Sequence, residues 1–238
     1  MESGYRPPSW SPEATASSSY RRTVQWLDRA AELATARTPP AKRPFNLGWG
    51  DEEVIAHYLA NAVTVPAVRS IDLSIRPVRR GGEVVIRDVS FTSPHDLLPE
   101  ETRVVRARWV TTHPEPDRVV ILHAPWNDET YSTRMRFARD LLPRGIASIL
   151  PQNPLYGDRS RRERSGSPVP FVSDFCLLGR GAVLEGRALA RHLHEAGHHV
   201  GVSRFSMGGN IAGFVGHSST SRWRLPPWPL PSRPAPRS

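Results

Sequence analysis

At 238 residues with 38% hydrophobic content, the chain has material for one domain of ordinary size with a real core, and two would be cramped. It holds no run of about 18 apolar residues and no apolar stretch in its Ser/Pro-rich first twenty positions, so neither a membrane span nor a secretory leader is expected. A net charge of +9 brings nucleic acid to mind, but Lys42 is the single lysine and the arginines are scattered, apart from Arg159, Arg161, Arg162 and Arg164. With no zinc spacing, helix-turn-helix pattern or interleaved stacking aromatics beside them, nucleic acid is not an expected partner.

Residues 1–22 read as a disordered tail, and a helix is expected over 23–36, closed by Thr38-Pro39-Pro40. A second helix is expected from Asp51 to Ala62, capped by Asp51, with Val54, Ile55, Tyr58 and Leu59 sharing a face. The period then changes to two. Ser70–Val78, Glu83–Phe91 and Arg103–Thr111 are predicted as successive, antiparallel strands at one sheet edge. From Asp117 the rhythm becomes strand, loop, helix. Arg118–Leu122 and Ile146–Leu150 are short apolar strands of the kind covered on both faces, with a helix over Thr130–Leu142 between them. Residues 151–170 are polar and read as a long loop. Val172–Ala196 fits one long helix or two joined near Gly179–Gly181, with Ser173 and Asp174 as candidate caps. Cys176, the single cysteine, excludes an internal disulfide, fits a reducing compartment with cytoplasm as the default, and reads as a buried, inert thiol. His198–Phe205 is the next strand. Alternating β and α units imply a parallel sheet with right-handed crossovers, whose sites form beyond the strands' carboxyl ends.

Ser206 stands there, followed by Met207-Gly208-Gly209 and a helix. A tight strand-to-helix turn that lifts a serine oxygen out of the backbone is a nucleophile elbow, and small neighbours are needed because its flanks pack closely. Gly208 meets that need. Arg204, two residues before Ser206, stands where the usual pattern has glycine. The competing reading is that Ser206 merely caps a helix.

The strand–Ser206-Met207-Gly208-Gly209–helix run resembles the α/β-hydrolase fold. Together with Leu122-His123-Ala124-Pro125-Trp126, Asn153-Pro154-Leu155-Tyr156-Gly157-Asp158-Arg159 and Val172-Ser173-Asp174-Phe175, it resembles the abhydrolase domain-containing protein 18-like branch over about residues 48–214. The resemblance implies an α/β fold: a mostly parallel sheet with helices on both faces, antiparallel N-terminal edge strands, and the C-terminal part of the fold missing. It implies an esterase- or lipase-like serine hydrolase of small-molecule esters. Ser206 is then the catalytic nucleophile. The oxyanion hole draws on the Met207 N–H and on the loop of His123, Ala124 and Trp126, where Pro125 has no N–H to give. Gly208 and Gly209 shape the elbow.

The remaining triad members are not supplied. Segment 207–238 contains no Asp or Glu and one histidine, His217, which at 1.5 Å per residue stands about 16 Å along the helix from Ser206. Upstream, Asp174, Glu185, His192, His194, His198 and His199 are read as solvated, and His198-His199 lacks the second cluster a metal site needs. No metal and no cofactor are expected. The expected organisation is a tail over 1–22, a partial hydrolase domain over 23–216 and a Pro/Arg-rich tail over 217–238, after a frameshift or premature end. An inactive hydrolase is the preferred reading. The alternatives are a working esterase with a base from elsewhere, or a noncatalytic interaction module using the Pro/Arg-rich tail. Trp126, Phe137, Tyr156 and Phe171 are candidates for an acyl pocket, although aromatics at such spacings usually build core.

Overall fold

Strand periodicity and helix caps assemble into a single six-stranded sheet. The computed structural model describes residues 37–217, apart from 62, 63, 65, 66, 82, 127, 162–165, 204 and 205. The expected helix over 23–36, the tails 1–22 and 218–238, and Arg204 lie outside the described residues. The strands are β1 (Ser74–Gly81), β2 (Val84–Thr92), β3 (Val104–Thr112), β4 (Arg118–Ile121), β5 (Ile146–Pro151) and β6 (His199–Val202). The helices are α1 (Glu52–Ala60), α2 (Ser132–Leu141), α3 (Val172–Glu195) and α4 (Ser206–His217).

Strand order is β1-β2-β3-β5-β4-β6. The sheet is mixed. β1, β2 and β3 pair antiparallel in sequence, and β3 pairs antiparallel with β5. β4 lies parallel between β5 and β6, with Ile121 opposite Ile149 and Val202. In β3, Val105, Ala107 and Trp109 point into the core while Arg106 faces out, the alternation of a sheet with one wet face. In β5, Ala147 to Leu150 are all buried because helices cover both sides.

Two apolar layers result. On one face Val119, Ile121, Ala147 and Ile149 pack against Ala188, Leu189 and Leu193 of α3. On the other, Val110, Leu122 and Leu150 pack against Tyr131, Ala138 and Leu142 at α2. α4 joins the α3 layer through Ile211 and Val215 against Ala182.

The α1 boundary follows its cap: the Asp51 carboxylate accepts from the N–H groups of Glu53 and Val54 at 2.9 and 3.1 Å. Leu59, expected on the packed face, is 67% exposed. α3 is one uninterrupted helix. Its cap is Phe171, two residues before the first expected cap, and the Phe171 N–H donates to the Asp174 carboxylate. Ser173 serves α1 instead, its Oγ accepting from the Asp51 N–H at 3.1 Å. Cys176 is buried, and burial pushes its thiol pKa up, as expected of an inert thiol.

The expectation that Asp174 and Glu185 are solvated is overturned: they are 1% and 2% exposed. Arg161 pairs with Asp174 at 2.8 Å, and Arg159 forms a two-pronged bond to Glu185 at 2.7 and 2.8 Å. Arg159 itself is 1% exposed, so it belongs to the interior and not to a solvated basic run. The segment after β5 has the composition of a polar loop for the same reason. In fact Gln152, Asn153, Leu155 and Tyr156 are buried, Gln152 Nε2 donating to the Glu129 carbonyl at 3.1 Å and Asn153 Nδ2 to that of Ala124 at 3.3 Å.

Two consequences are measurable. Glu185→Gln strands a buried guanidinium, and urea unfolding should report a loss of about 3–5 kcal/mol. The exposed i,i+4 pair Arg191–Glu195 on the same helix should matter by no more than about 0.5 kcal/mol when Glu195 is changed to Ala.

Burial lowers the pKa of His95 to about 4, with the positive charge of Arg180 assisting, and that of His123 to about 3, with Arg134 assisting. The unfolded chain therefore takes up protons near pH 6.5 that the folded chain refuses until pH 3–4. Stability should fall as pH drops through this window, each histidine contributing a slope approaching about 1.4 kcal/mol per pH unit. His123→Phe should flatten the acid limb in urea titrations at successive pH values.

Candidate functional site

The carboxyl ends of β4, β5 and β6 converge on Ser206. β6 ends at Val202, the Ser203 N–H donates to the Ile121 carbonyl at 2.9 Å, and α4 begins at Ser206. Ser206 is exposed and its φ is 51°, in the left-handed region that a residue with a Cβ enters only at a strain of about 1–3 kcal/mol. A helix-capping serine occupies extended backbone instead, so the capping reading does not describe this residue. An exposed, left-handed serine thus stands at the start of the helix that follows β6.

Behind Ser206, Gly208 is buried against the loop that follows β4. A Cβ added there would lie 2.7 Å from the His123 carbonyl oxygen and 3.2 Å from that of Ala124. The helix and the His123–Ala124 backbone therefore meet in direct contact, which only glycine permits. The sequence-predicted residues Ser206, Met207, Gly208, His123 and Ala124 are thus brought into one neighbourhood. Gly209 lies on the same first turn of α4. Trp126 and Met207 both pack against the Leu155, Tyr156, Val169 and Leu178 cluster.

The His123 ring is fully enclosed. Its Cε1 would be 2.6 Å and its Nε2 2.9 Å from a Cβ at Gly186 of α3, so a missing side chain on the helix makes room for the imidazole. With its pKa pressed down to about 3, His123 is neutral and a poor proton acceptor. It spaces the loop against α3. Ala124 is buried, and its carbonyl accepts from Asn153 Nδ2 at 3.3 Å.

Arg134 fixes the loop from below. Its guanidinium donates to the Leu122 carbonyl at 2.9 Å and the Pro151 carbonyl at 2.7 Å, joining the ends of β4 and β5, and to Asp128 at 2.6 Å. Burial draws the Arg134 pKa down from its ordinary value, opposed by Asp128. Arg134, Asp128 and Gly186 are not singled out by the sequence, and Asn153 enters there only as part of the Asn153–Arg159 run. A signal for Arg134 existed: it shares the buried face of α2 with Ala138 and Leu141, where a charge needs a structural reason.

Other candidates are not assembled here. Phe137 is 52% exposed on α2, apart from the aromatic group formed by Trp126, Tyr156, Phe175 and Phe45. His198 instead packs edge-on against Trp109 at 5.8 Å. His217 ends α4, eleven positions beyond Ser206. Among the described residues no group of three or more His, Cys, Asp or Glu forms a metal-binding cluster, and no helix is long and apolar enough to cross a membrane.

Comparison with known proteins adds a family and several distant structural likenesses. An acetyl xylan esterase from Paenibacillus sp. R4 is similar at 14% identity, over 71% of this chain and 57% of its own length, with a TM-score of 0.47. A cold-adapted esterase from an Arctic intertidal metagenomic library is similar at 18% identity, over 61% of this chain and 58% of its own, with a TM-score of 0.41. A putative acetyl xylan esterase from Bacteroides fragilis is similar at 13% identity, over 69% of this chain and 50% of its own, with a TM-score of 0.40. The chain spans less than two thirds of the length of each. The family model for alpha/beta hydrolase domain containing 18 matches residues 42–226, covering the whole sheet and the Ser206 turn. With most of its length matched, the chain belongs to the alpha/beta hydrolase domain containing 18 family.

Proposed function

We propose that this hydrolase-family chain carries the nucleophile side of a serine esterase, with Ser206 attacking the acyl carbon of a small-molecule carboxylic ester. The observation that supports it most is the left-handed φ of 51° at an exposed serine where β6 turns into α4. Attack by Oγ places negative charge on the former carbonyl oxygen. In this reading the Met207 N–H, with an N–H from Ala124 or Trp126 on the apposed loop, receives that oxyanion. The contact between Gly208 and the His123 carbonyl sets the spacing between these two sources of donors.

The proton on Ser206 Oγ needs an acceptor. His123 is too weak a base, and residues 207–238 carry no carboxylate to orient another. The 238 residues by themselves therefore hydrolyse esters at background rate. The alternative, a noncatalytic module using the Pro/Arg-rich tail over 217–238, falls almost entirely on residues outside the described ones.

Chemical rescue tests this reading. With p-nitrophenyl acetate, the chain alone should match buffer, added imidazole should raise its rate above the buffer-plus-imidazole control, and Ser206→Ala should abolish that excess. An excess that survives Ser206→Ala would sink the nucleophile assignment. Hydrolysis well above background without imidazole, lost in Ser206→Ala, would retain the nucleophile and show that a base is present.

A paired substitution on α4 checks the spacing role. Gly208→Ala drives a Cβ into backbone and should cost about 1–3 kcal/mol of stability together with the imidazole-dependent excess. Gly213→Ala, with nothing within 4 Å of the added carbon, should leave the excess intact and raise stability by up to about 1 kcal/mol.

A further inference from the structure

Two successive residues at the exit of β5 reach into the loop that follows β4. Gln152 Nε2 donates to the Glu129 carbonyl at 3.1 Å and Asn153 Nδ2 to the Ala124 carbonyl at 3.3 Å, so the two amides hold the loop at both ends of the stretch 124–129. Both side chains are buried. Their own backbone is fixed in turn. The Gln152 N–H donates to the Arg106 carbonyl of β3 at 2.8 Å, the Gln152 carbonyl accepts from Arg159 at 2.8 Å, and the Asn153 carbonyl accepts from the Tyr156 N–H at 3.3 Å. Gly157 clears the path: its φ is 51°, and a Cβ there would collide with Gln152 Nε2 and lie 2.8 Å from the Glu129 carbonyl oxygen. Between the two held carbonyls the loop closes on itself, the Asp128 N–H donating to the Pro125 carbonyl at 3.4 Å.

From this arrangement we propose that Gln152 and Asn153 are positioning residues for the ester hydrolysis assigned to Ser206, aiming the loop that carries the Trp126 N–H without touching the substrate themselves. The inference rests on the esterase reading above. An oxyanion donor works only where the charge develops, and a misplacement of about 1 Å costs on the order of a hundredfold in rate. Pro125 has no N–H, so the loop has few donors to offer and each has to be aimed. The Pro125 carbonyl shares a planar peptide with the Trp126 N–H, so the bond from Asp128 orients that donor. The two amides hold the ends of the same turn, and with both ends fixed the plane between them has little freedom left. The residue type agrees with this role. A buried amide costs more to desolvate than an apolar side chain of the same shape, and what it contributes in return is direction.

Gln152→Met and Asn153→Leu keep the side-chain size and remove the donors. In the imidazole-rescued assay with p-nitrophenyl acetate, each should lower kcat at least about tenfold and leave KM within about twofold. Asn153→Ser, whose hydroxyl falls short of the Ala124 carbonyl, carries the same expectation where Asn153→Leu does not fold. Val89→Ala, a cavity in the β2 core, controls for lost stability and should leave both constants unchanged. Amide hydrogen exchange of the same full-length chains, without ester, is the second readout. Residues 124–129 should exchange at least about tenfold faster in the variants than in the wild type, with α3 unchanged. Wild-type exchange in the variants overturns the proposal, and so does faster exchange with wild-type kcat. A raised KM with kcat unchanged also overturns it, because that pattern marks lost substrate binding and not lost aim. A wild-type chain with no imidazole-dependent excess removes the esterase reading and this one together, whereas a wild-type excess that the variants retain removes this one alone.

Discussion

The buried bond between Arg159 and Glu185 is the constraint on which the rest of the domain depends. The two residues are 26 positions apart and both are essentially inaccessible to water. Removing two charges from water costs several kcal/mol per ion, which Coulomb attraction offsets only when the remaining donors and acceptors are also satisfied. Here they are. Beyond the two bonds to Glu185, Arg159 donates to the Thr102 carbonyl at 3.0 Å and the Gln152 carbonyl at 2.8 Å. One guanidinium thus joins the approach to β3, the exit of β5, its own loop and the middle of α3. The segment from Asn153 to Tyr156 is held inside the protein by this network and supplies a wall for Trp126 and Met207.

The Ser206 turn inherits its precision from that frame. A left-handed serine persists only where its surroundings over-determine it. The strand before it is locked by parallel pairing to β4, and the helix after it is seated on α3 through Ile211 and Val215. On the third side, Arg134 and Asn153 pin the carbonyls of the apposed loop, and Gly186 admits the His123 ring. Two glycines on different helices perform the same task, each removing a side chain so that the loop is approached from both directions.

Much of the fold was legible because periodicity reports burial directly. The alternation in β2 and β3, the apolar runs of β4 and β5, and the Asp51 cap all stand within a few residues of their expected places. What escaped was polar burial. Gln152, Asn153, Arg159, Asp174 and Glu185 have the composition of a solvated loop and a wet helix face, and only distant partners distinguish the two cases. Local pattern carries no information about a partner 26 positions away. Ser206 and Gly208 were legible because a strand–serine–small–helix run encodes a turn, while the His123 loop came from the family resemblance alone. Arg134 and Gly186 were not, since a supporting residue is defined by what it touches and not by its neighbours in sequence.

The arginine-rich composition takes on a different meaning in this light. A net charge of +9 counts guanidiniums without asking what they face. Many face backbone carbonyls: Arg103 reaches Leu98, Arg118 reaches Arg144, Arg134 reaches Leu122 and Pro151, Arg159 reaches Thr102 and Gln152, and Arg191 reaches Val68. Arginine suits that work because its long stem spans from one element to the next and its planar head satisfies several acceptors at once. Charge used in this way is structural.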